Sequence, residues 1–371
     1  MQTRLLSLDI FRGITVAFMI IVNNPGDWGH LYWPLEHAAW HGCTPTDLVF
    51  PFFLFIVGVS IPFADQTKAG DLLPNKYKKL LLRTLKLFCL GLFLSLFPKF
   101  NFETVRIMGV LQRIALVYAI CSVLYLNLSE KYLILTFACC LLGYYFIMTF
   151  VPVPGFGNPN LEPETNFGAW FDRTILTEPH LWKTAKTWDP EGLLGTIPAV
   201  GNGILGILAG KCLLRVNLSA FEKTKWLFFT GIVLAAAGMF WNYAGFPINK
   251  SLWTSSFTLF TSGLASIFLS ILYYLIDYKG IKQYTNFFVV FGVNAILAFF
   301  LSGLIPRILG MIKLKSADEE LISSSQWIYL NWISPLFSNP KNASLAGAIT
   351  FLLILYVPFY WMWKKKFFVK V

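Results

Sequence analysis

His37 is the side chain in this chain best suited to move a proton near neutral pH. It sits in the run Glu36-His37-Ala38-Ala39-Trp40-His41-Gly42-Cys43-Thr44-Pro45-Thr46-Asp47, and an apolar stretch, Leu48 to Ile61 with Ser60 as its one polar side chain, follows at once. An imidazole beside aromatic surface and a carboxylate, at the mouth of a hydrophobic bundle, fits general-base chemistry, because polar residues in such places are kept for chemistry or transport. Asp47 has two compatible readings. Thr44, Pro45 and Asp47 spell N-cap, first and third positions of a helix, and the same carboxylate can orient an imidazole. Cys43 is open as a nucleophile or as an incidental small residue. His30, His37 and His41 share one loop and His180 stands in another, but their spacing lacks the pairing on one helix face that a metal requires, so no metal is expected.

Other polar residues need partners. Asp9 and Arg12, three apart on one helix face, form either an interfacial ion pair or an anion site for a phosphate-bearing co-substrate. Asn23 and Asn24, just before Pro25, either satisfy frayed backbone carbonyls or hold a substrate carbonyl or His37. Arg113, about nine ångströms inside a helix at ~1.5 Å per residue, demands a specific partner, structural or ligand. Asp189 and Glu191 are expected at the positive end of a helix whose glycines, Gly192 to Gly210, allow close packing and not phosphate binding.

These residues must be positioned by membrane-spanning helices. Of 371 residues 56% are hydrophobic and only 13% charged, with a mean hydropathy of +0.61. The apolar runs predict ten spans, roughly 5–24, 47–64, 84–98, 107–127, 132–151, 192–211, 226–245, 253–276, 284–305 and 343–363. The fold class is therefore an all-α polytopic membrane protein, a single bundle over 1–371 with outer caps at 152–191 and 306–342. The second cap carries Asp318-Glu319-Glu320 and then Trp327, Tyr329 and Trp332, expected as an interfacial helix with an aromatic belt. The net charge of +11 is a topology signal and not a nucleic-acid footprint. Lys68, Lys76, Lys78, Lys79, Arg83, Arg215, Lys223, Lys225, Lys279, Lys282, Lys364, Lys365, Lys366 and Lys370 fall between spans on one side, whereas loop 25–46 has no Lys or Arg. The positive-inside rule places both termini in the cytoplasm. Only Arg4 precedes the first apolar run, and no small-residue cleavage site follows, so that segment is expected to be retained. The six cysteines form no disulfide framework.

Several segments together resemble the heparan-α-glucosaminide N-acetyltransferase family, including its bacterial NagX-like members. They are Ser7 to Gly13, Val22-Asn23, His37 to Trp40 leading to Thr44 and Asp47 to Pro51, Gly109 to Arg113, Asp189 to Thr196, and Pro247 to Trp253 with Asn294 downstream. The resemblance implies transfer of an acetyl group from cytoplasmic acetyl-CoA to an amino sugar or glycan across the bilayer. It puts the essential histidine on His37 and the helix-end asparagine on Asn23. The chain begins at the first helix of this core, without the extra lumenal domain of the animal enzyme, which implies a bacterial inner-membrane protein, with a homodimer allowed. In this reading His37 is the general base, Asn23 an oxyanion donor and Asp47 the group that fixes the imidazole. Arg12, Asp9 and Arg113 are expected on acetyl-CoA; Trp40, Asn249, Lys250 and Asn294 are expected on the acceptor. An acetyl-imidazole on His37 is the rival route. The competing class is a transporter without chemistry, which would use midplane residues on broken helices related by repeats.

Overall fold

A computed structural model describes residues 5–66, 70, 72–283, 285–316 and 319–369. Arg4, Lys68, Asp318 and Lys370, used in the charge reading, lie outside the described residues. The helices in chain order are α1 Leu6–Asn23, α2 Val49–Gln66, α3 Leu73–Leu96, α4 Val110–Asn127, α5 Glu130–Phe150, α6 Phe167–Leu176, α7 Thr196–Leu214, α8 Ala220–Tyr243, α9 Ser255–Leu272, α10 Asn286–Val293 and α11 Ala295–Met311. A two-stranded antiparallel hairpin follows, β1 Lys313–Lys315 and β2 Leu321–Ser323, then α12 Ser324–Ile328 and α13 Pro340–Lys364. Against the ten spans expected, eight helices among the described residues are long and apolar enough to span a bilayer, nine if the bent pair α10 and α11 is counted as one span, and α3 is not among them.

Three departures from the sequence-based expectation matter for the site. The span expected over 284–305 is broken at Asn294, where α10 and α11 meet at 82°. Gly292 stands two residues before the break, but the apolar run continues through it, so the hydropathy pattern did not announce the bend. The short third span belongs to a 24-residue helix, and Lys76, Lys78, Lys79 and Arg83 are helical instead of lying in a loop. Lysine and arginine propagate a helix as well as leucine does, which carried α3 well past its apolar part. The helix expected to open at Asp189 and Glu191 begins only at Thr196, because those acids are engaged elsewhere. In the second cap the expected interfacial helix is α12 and the turns after it, preceded by the hairpin.

Glycines set the closest approaches. A Cβ on Gly58 of α2 would run into the Gly203 carbonyl of α7, and one on Gly206 into the Phe55 carbonyl, so these two helices touch backbone to backbone. Gly13 of α1 and Gly292 of α10 do the same against Phe288 and Asp9. Around these contacts a continuous core gathers Val16, Ile20, Leu54, Ile114, Val117, Ile204, Phe257 and Phe291, all at most 3% exposed. It fixes α1, α2, α4, α7 and α9 as the frame on which both ends of the molecule are built.

Candidate active site

The loop that carries His37 is stapled onto the start of α2. Thr46 Oγ1 donates to the Pro34 carbonyl at 2.9 Å and Thr44 Oγ1 to the Glu36 carbonyl at 2.6 Å, which holds residues 34–38 against the helix entrance. Thr44 is the N-cap and Pro45 opens a 3₁₀ turn, Pro45–Leu48, that runs into α2. Asp47, 1% exposed, is consumed on both oxygens. Its Oδ2 accepts from the Thr44 amide at 3.0 Å, the Ala38 amide at 3.1 Å and Thr44 Oγ1 at 3.1 Å. Its Oδ1 lies 2.6 Å from His37 Nδ1. An acceptor-only carboxylate there assigns the proton to Nδ1 and leaves Nε2 as the basic nitrogen, on a ring whose side chain is 50% exposed. The capping and orienting readings of Asp47 are thus both realised by one side chain.

Lys250 reaches the same ring from the loop between α8 and α9. Its Nζ is 3.1 Å from His37 Nδ1, 3.3 Å from Nε2 and 3.8 Å from Asp47 Oδ1. The loop is fixed by its neighbours. Gly42 donates its amide to the Ile248 carbonyl at 2.7 Å, and buried Asn249 accepts from the Leu252 amide at 2.8 Å while its Nδ2 donates to His41 Nδ1 at 3.2 Å. Trp253 follows with φ +56°, a conformation that costs a tryptophan ~1–3 kcal/mol. The surroundings enforce it: Trp253 Nε1 donates to Asn202 at 2.9 Å, Phe50 packs 4.9 Å away, and the Arg113 guanidinium lies 5.0 Å over the ring. Burial pushes the Lys250 ammonium below the ordinary lysine range, against the opposing pull of Asp47 and Glu191. Burial, then the Asp47 charge, push the Cys43 thiol up to about 12, which keeps it protonated and inert as a nucleophile.

Beneath this layer lies a buried ionic cluster. Arg106 grips Asp189 through Nε at 2.8 Å and Nη2 at 2.5 Å, and Nη2 also bonds Glu191. Arg113, 1% exposed, donates to the Pro190 carbonyl at 3.0 Å and the Gly192 carbonyl at 2.6 Å. Burial raises Asp189 despite Arg106, whereas Arg106, Arg113 and Lys250 together outweigh burial and hold Glu191 low. Asp172 of α6 accepts from the Leu193 amide at 2.8 Å, and burial pushes its carboxyl up to about 7. The free space here is a cavity of about 20 Å³ bordered by Trp40, Arg113, Tyr144 and Asp172. Trp40 donates to the Leu161 carbonyl at 3.0 Å and packs on Trp188 at 5.1 Å.

At the other end of α2 the structure opens. A cavity of about 620 Å³ is lined by Arg12, Ser60, Lys76, Lys79, Arg83 and Lys86, with Tyr118 and Tyr125 of α4 opposite. Arg12 Nη2 donates to Ser60 at 2.8 Å, and Nη1 to Asp9 at 3.2 Å and the Gly292 carbonyl at 3.3 Å. The lining follows α2 from Asp65 to Phe53, twelve residues or ~18 Å at helical rise.

The sequence-predicted residues therefore divide between two places. His37, Asp47 and Lys250 meet, Asn249 underlies them, and Trp40 borders the outer cluster. Arg12 lines the inner cavity, and Asp9 pairs with it behind the lining. Three expectations are corrected. Arg113, expected on acetyl-CoA, is spent on the 190–192 backbone of the outer cluster. Asn294, expected on the acceptor, lines the inner cavity and holds the chain end, its Nδ2 donating to the Phe367 carbonyl at 3.2 Å and its Oδ1 accepting from the Val369 amide at 2.9 Å. Asn23 is exposed at the end of α1, and the His37 ring bonds Asp47 and Lys250 instead. Arg106, Asp172 and Tyr144 were missed. The one available signal was Arg106 itself, a basic residue in a segment that the charge pattern places outside.

Known proteins carry the same arrangement of segments. The family model for heparan-alpha-glucosaminide N-acetyltransferase, catalytic, matches residues 4–172, which hold Arg12, His37, Asp47, Arg106 and Arg113. The heparan-alpha-glucosaminide N-acetyltransferase of Homo sapiens is 32% identical over 354 residues, covering 80% of this chain and 52% of that protein. Its Mus musculus counterpart is 31% identical over 365 residues, 80% of this chain and 53% of that protein. The chain spans about half the length of these curated relatives. With the match continuing beyond the family model through the segments that hold Lys250, the chain belongs to the heparan-α-glucosaminide N-acetyltransferase family.

Proposed function

We propose that the chain transfers an acetyl group from acetyl-CoA, held at the inner cavity, to the amine of an amino sugar at His37. The observation that carries this reading is the placement of two unlike sites on one helix. A histidine oriented by a buried carboxylate stands at one end of α2, and an open, cation-lined cavity runs up from the other. CoA is a polyanion, and Arg12, Lys76, Lys79, Arg83 and Lys86 match its phosphates in charge. From the cavity top at Phe53 to Asp47 the rise is only six residues, ~9 Å, a reach suited to the arm that carries the thioester.

At the outer end His37 Nε2 takes the proton from the acceptor amine as nitrogen attacks the thioester carbonyl, and Asp47 steadies the imidazolium that forms. Lys250 and Trp40 face the acceptor, while Asn249 positions Lys250. Both termini and the inner cavity belong on the cytoplasmic side, with His37 facing the periplasm of a bacterial inner membrane. A cysteine at Gly70→Cys should react only with reagents that reach the cytoplasm, and one at Gly29→Cys only from outside.

Incubating the purified protein with radiolabelled acetyl-CoA and a panel of amino sugars tests the reaction. Label on a sugar is the expected result; no label on any of them would overturn it. The broken span at Asn294 favours one rival, a transporter without chemistry. That rival expects sugar flux into vesicles with no label transferred.

A further inference from the structure

An amine of the protein already stands beside the ring that a reacting amine must approach. Lys250 Nζ lies against the His37 ring, 3.1 Å from Nδ1 and 3.3 Å from Nε2, so a turn of the flexible lysine end brings the amine into line with the Nε2 lone pair. Two independent bonds, Gly42 to Ile248 and Leu252 to Asn249, hold the Lys250 loop in this place. The side chain is 19% exposed, so it meets the same space an acceptor enters.

We propose that Lys250 is an internal acceptor: when no amino sugar fills the site, the enzyme acetylates Lys250 Nζ from its own donor. This rests on the reading that a thioester is delivered to His37. The neutral amine attacks the thioester carbonyl carbon, a C–N bond forms and the C–S bond breaks. The amine's proton passes to His37 Nε2 and from there to the departing sulfur. The products are Nε-acetyl-Lys250 and CoA thiol, with no other reactant consumed.

The surrounding charges set how often this happens. Burial and the Arg113 guanidinium of α4 favour the amine, while Asp47 from the start of α2 and Glu191 from the segment before α7 favour the unreactive ammonium. The amide that forms carries no charge and cannot be lost by simple dissociation. It leaves Asp47 without its cation and covers one side of the His37 ring, so the acetylated protein is inactive toward sugars. Donor supplied without acceptor therefore switches the enzyme off.

The test uses the full-length protein in detergent with radiolabelled acetyl-CoA and no sugar, followed by mapping of acetyl-lysine in its peptides. Lys183 and Lys186, exposed lysines of the 152–191 cap, report the uncatalysed background. Lys250 should gain label ~100-fold faster than Lys183, the order of a general-base contribution, and excess amino sugar should protect it. His37→Gln should reduce Lys250 labelling to the Lys183 rate, and Lys250→Arg should abolish the label at that position. Thermal unfolding and CoA binding confirm that both variants are folded. Labelling of Lys250 no faster than Lys183, in protein that does acetylate an added sugar, overturns the inference and leaves the acetyltransfer reading standing. Label on neither lysine nor sugar removes both. Labelling of Lys250 that persists in His37→Gln overturns the inference as well.

Discussion

The two ends of α2 differ in how completely their charges are answered. At the outer end Asp47 accepts four hydrogen bonds, Arg106 binds two acids, Arg113 binds two carbonyls, and the space left is about 20 Å³. At the inner end five basic side chains border a cavity of about 620 Å³, with Asp65, paired to Lys76 at 2.5 Å, as the acid in its lining. A densely bonded network holds groups in fixed geometry before substrate arrives, which is what general-base chemistry needs. An excess of one charge in an open cavity is what a polyanionic ligand needs. Preorganisation and reception are thus separated along one helix.

The sharpest way to break the contrast is at the outer end. His37→Ala should lower acetyl transfer ~10³-fold, within the range of general acid–base catalysis, with CoA binding intact by isothermal titration. His30→Ala should keep substantial activity, since that ring bonds Asp27 at 2.7 Å on the surface. His41→Ala should lose somewhat more, because His41 accepts from Asn249 beneath Lys250. Equal loss in all three variants would mean that the loop acts as a unit. Near-normal turnover in His37→Ala would end the general-base proposal.

The ionic cluster comes next. Arg106→Met leaves Asp189 and Glu191 buried without their shared cation and should cost ~3–5 kcal/mol, as breaking a buried pair does. A thermal-unfolding midpoint within a degree or two of the parent would show that these acids do not need it.

The inner end should respond more gently. Arg12→Ala should raise the dissociation constant for CoA about tenfold, ~1.4 kcal/mol, with sugar affinity hardly changed. Arg12→Lys should rescue it only in part, since an ammonium cannot bond Ser60 and the Gly292 carbonyl in one fork. Unchanged CoA affinity would return Arg12 to its structural bonds.

The smallest effect is a pH slope. Asp172 binds its proton more tightly folded, about 7, than at the ordinary value of 3.8. The native state therefore holds more protons in that window, and stability should fall as pH rises from about 4 to about 7, then level off. Asp172→Asn should flatten the fall measured by thermal unfolding. An equal slope in the variant would assign it to other groups.

How much of this was legible depended on whether a residue's partner was near in sequence. Asp47 and His37 are ten apart, and the capping pattern already aimed the carboxylate at the loop; Asp9 and Arg12 pair across three residues, as read. Arg113 was known to need a partner, but that partner is a backbone segment some 77 residues on, and carbonyls leave no trace in side-chain chemistry. Arg106 was passed over, despite being a basic residue in an outer segment, because its acids looked sufficient as helix-start residues. Asn294 was read by its motif alone, whereas its amide is spent on the backbone of the chain end at a bend inside a continuous apolar run. Lys250 was noticed but assigned to the acceptor, since only the fold brings it to within 3.3 Å of the imidazole.

The backbone contact of α2 with α7 has a mechanical consequence. Two helices whose carbonyls meet through Gly58, Gly203 and Gly206 have no side-chain layer on which to slide. In the proposed reaction the segment that links the reacting end to the receiving end therefore serves as a fixed post. Any breathing needed to admit a bulky nucleotide falls to the opposite wall. There α3 presents long, flexible lysine and arginine stems, and side chains such as Leu81 and Leu85 outside the cavity lining are exposed.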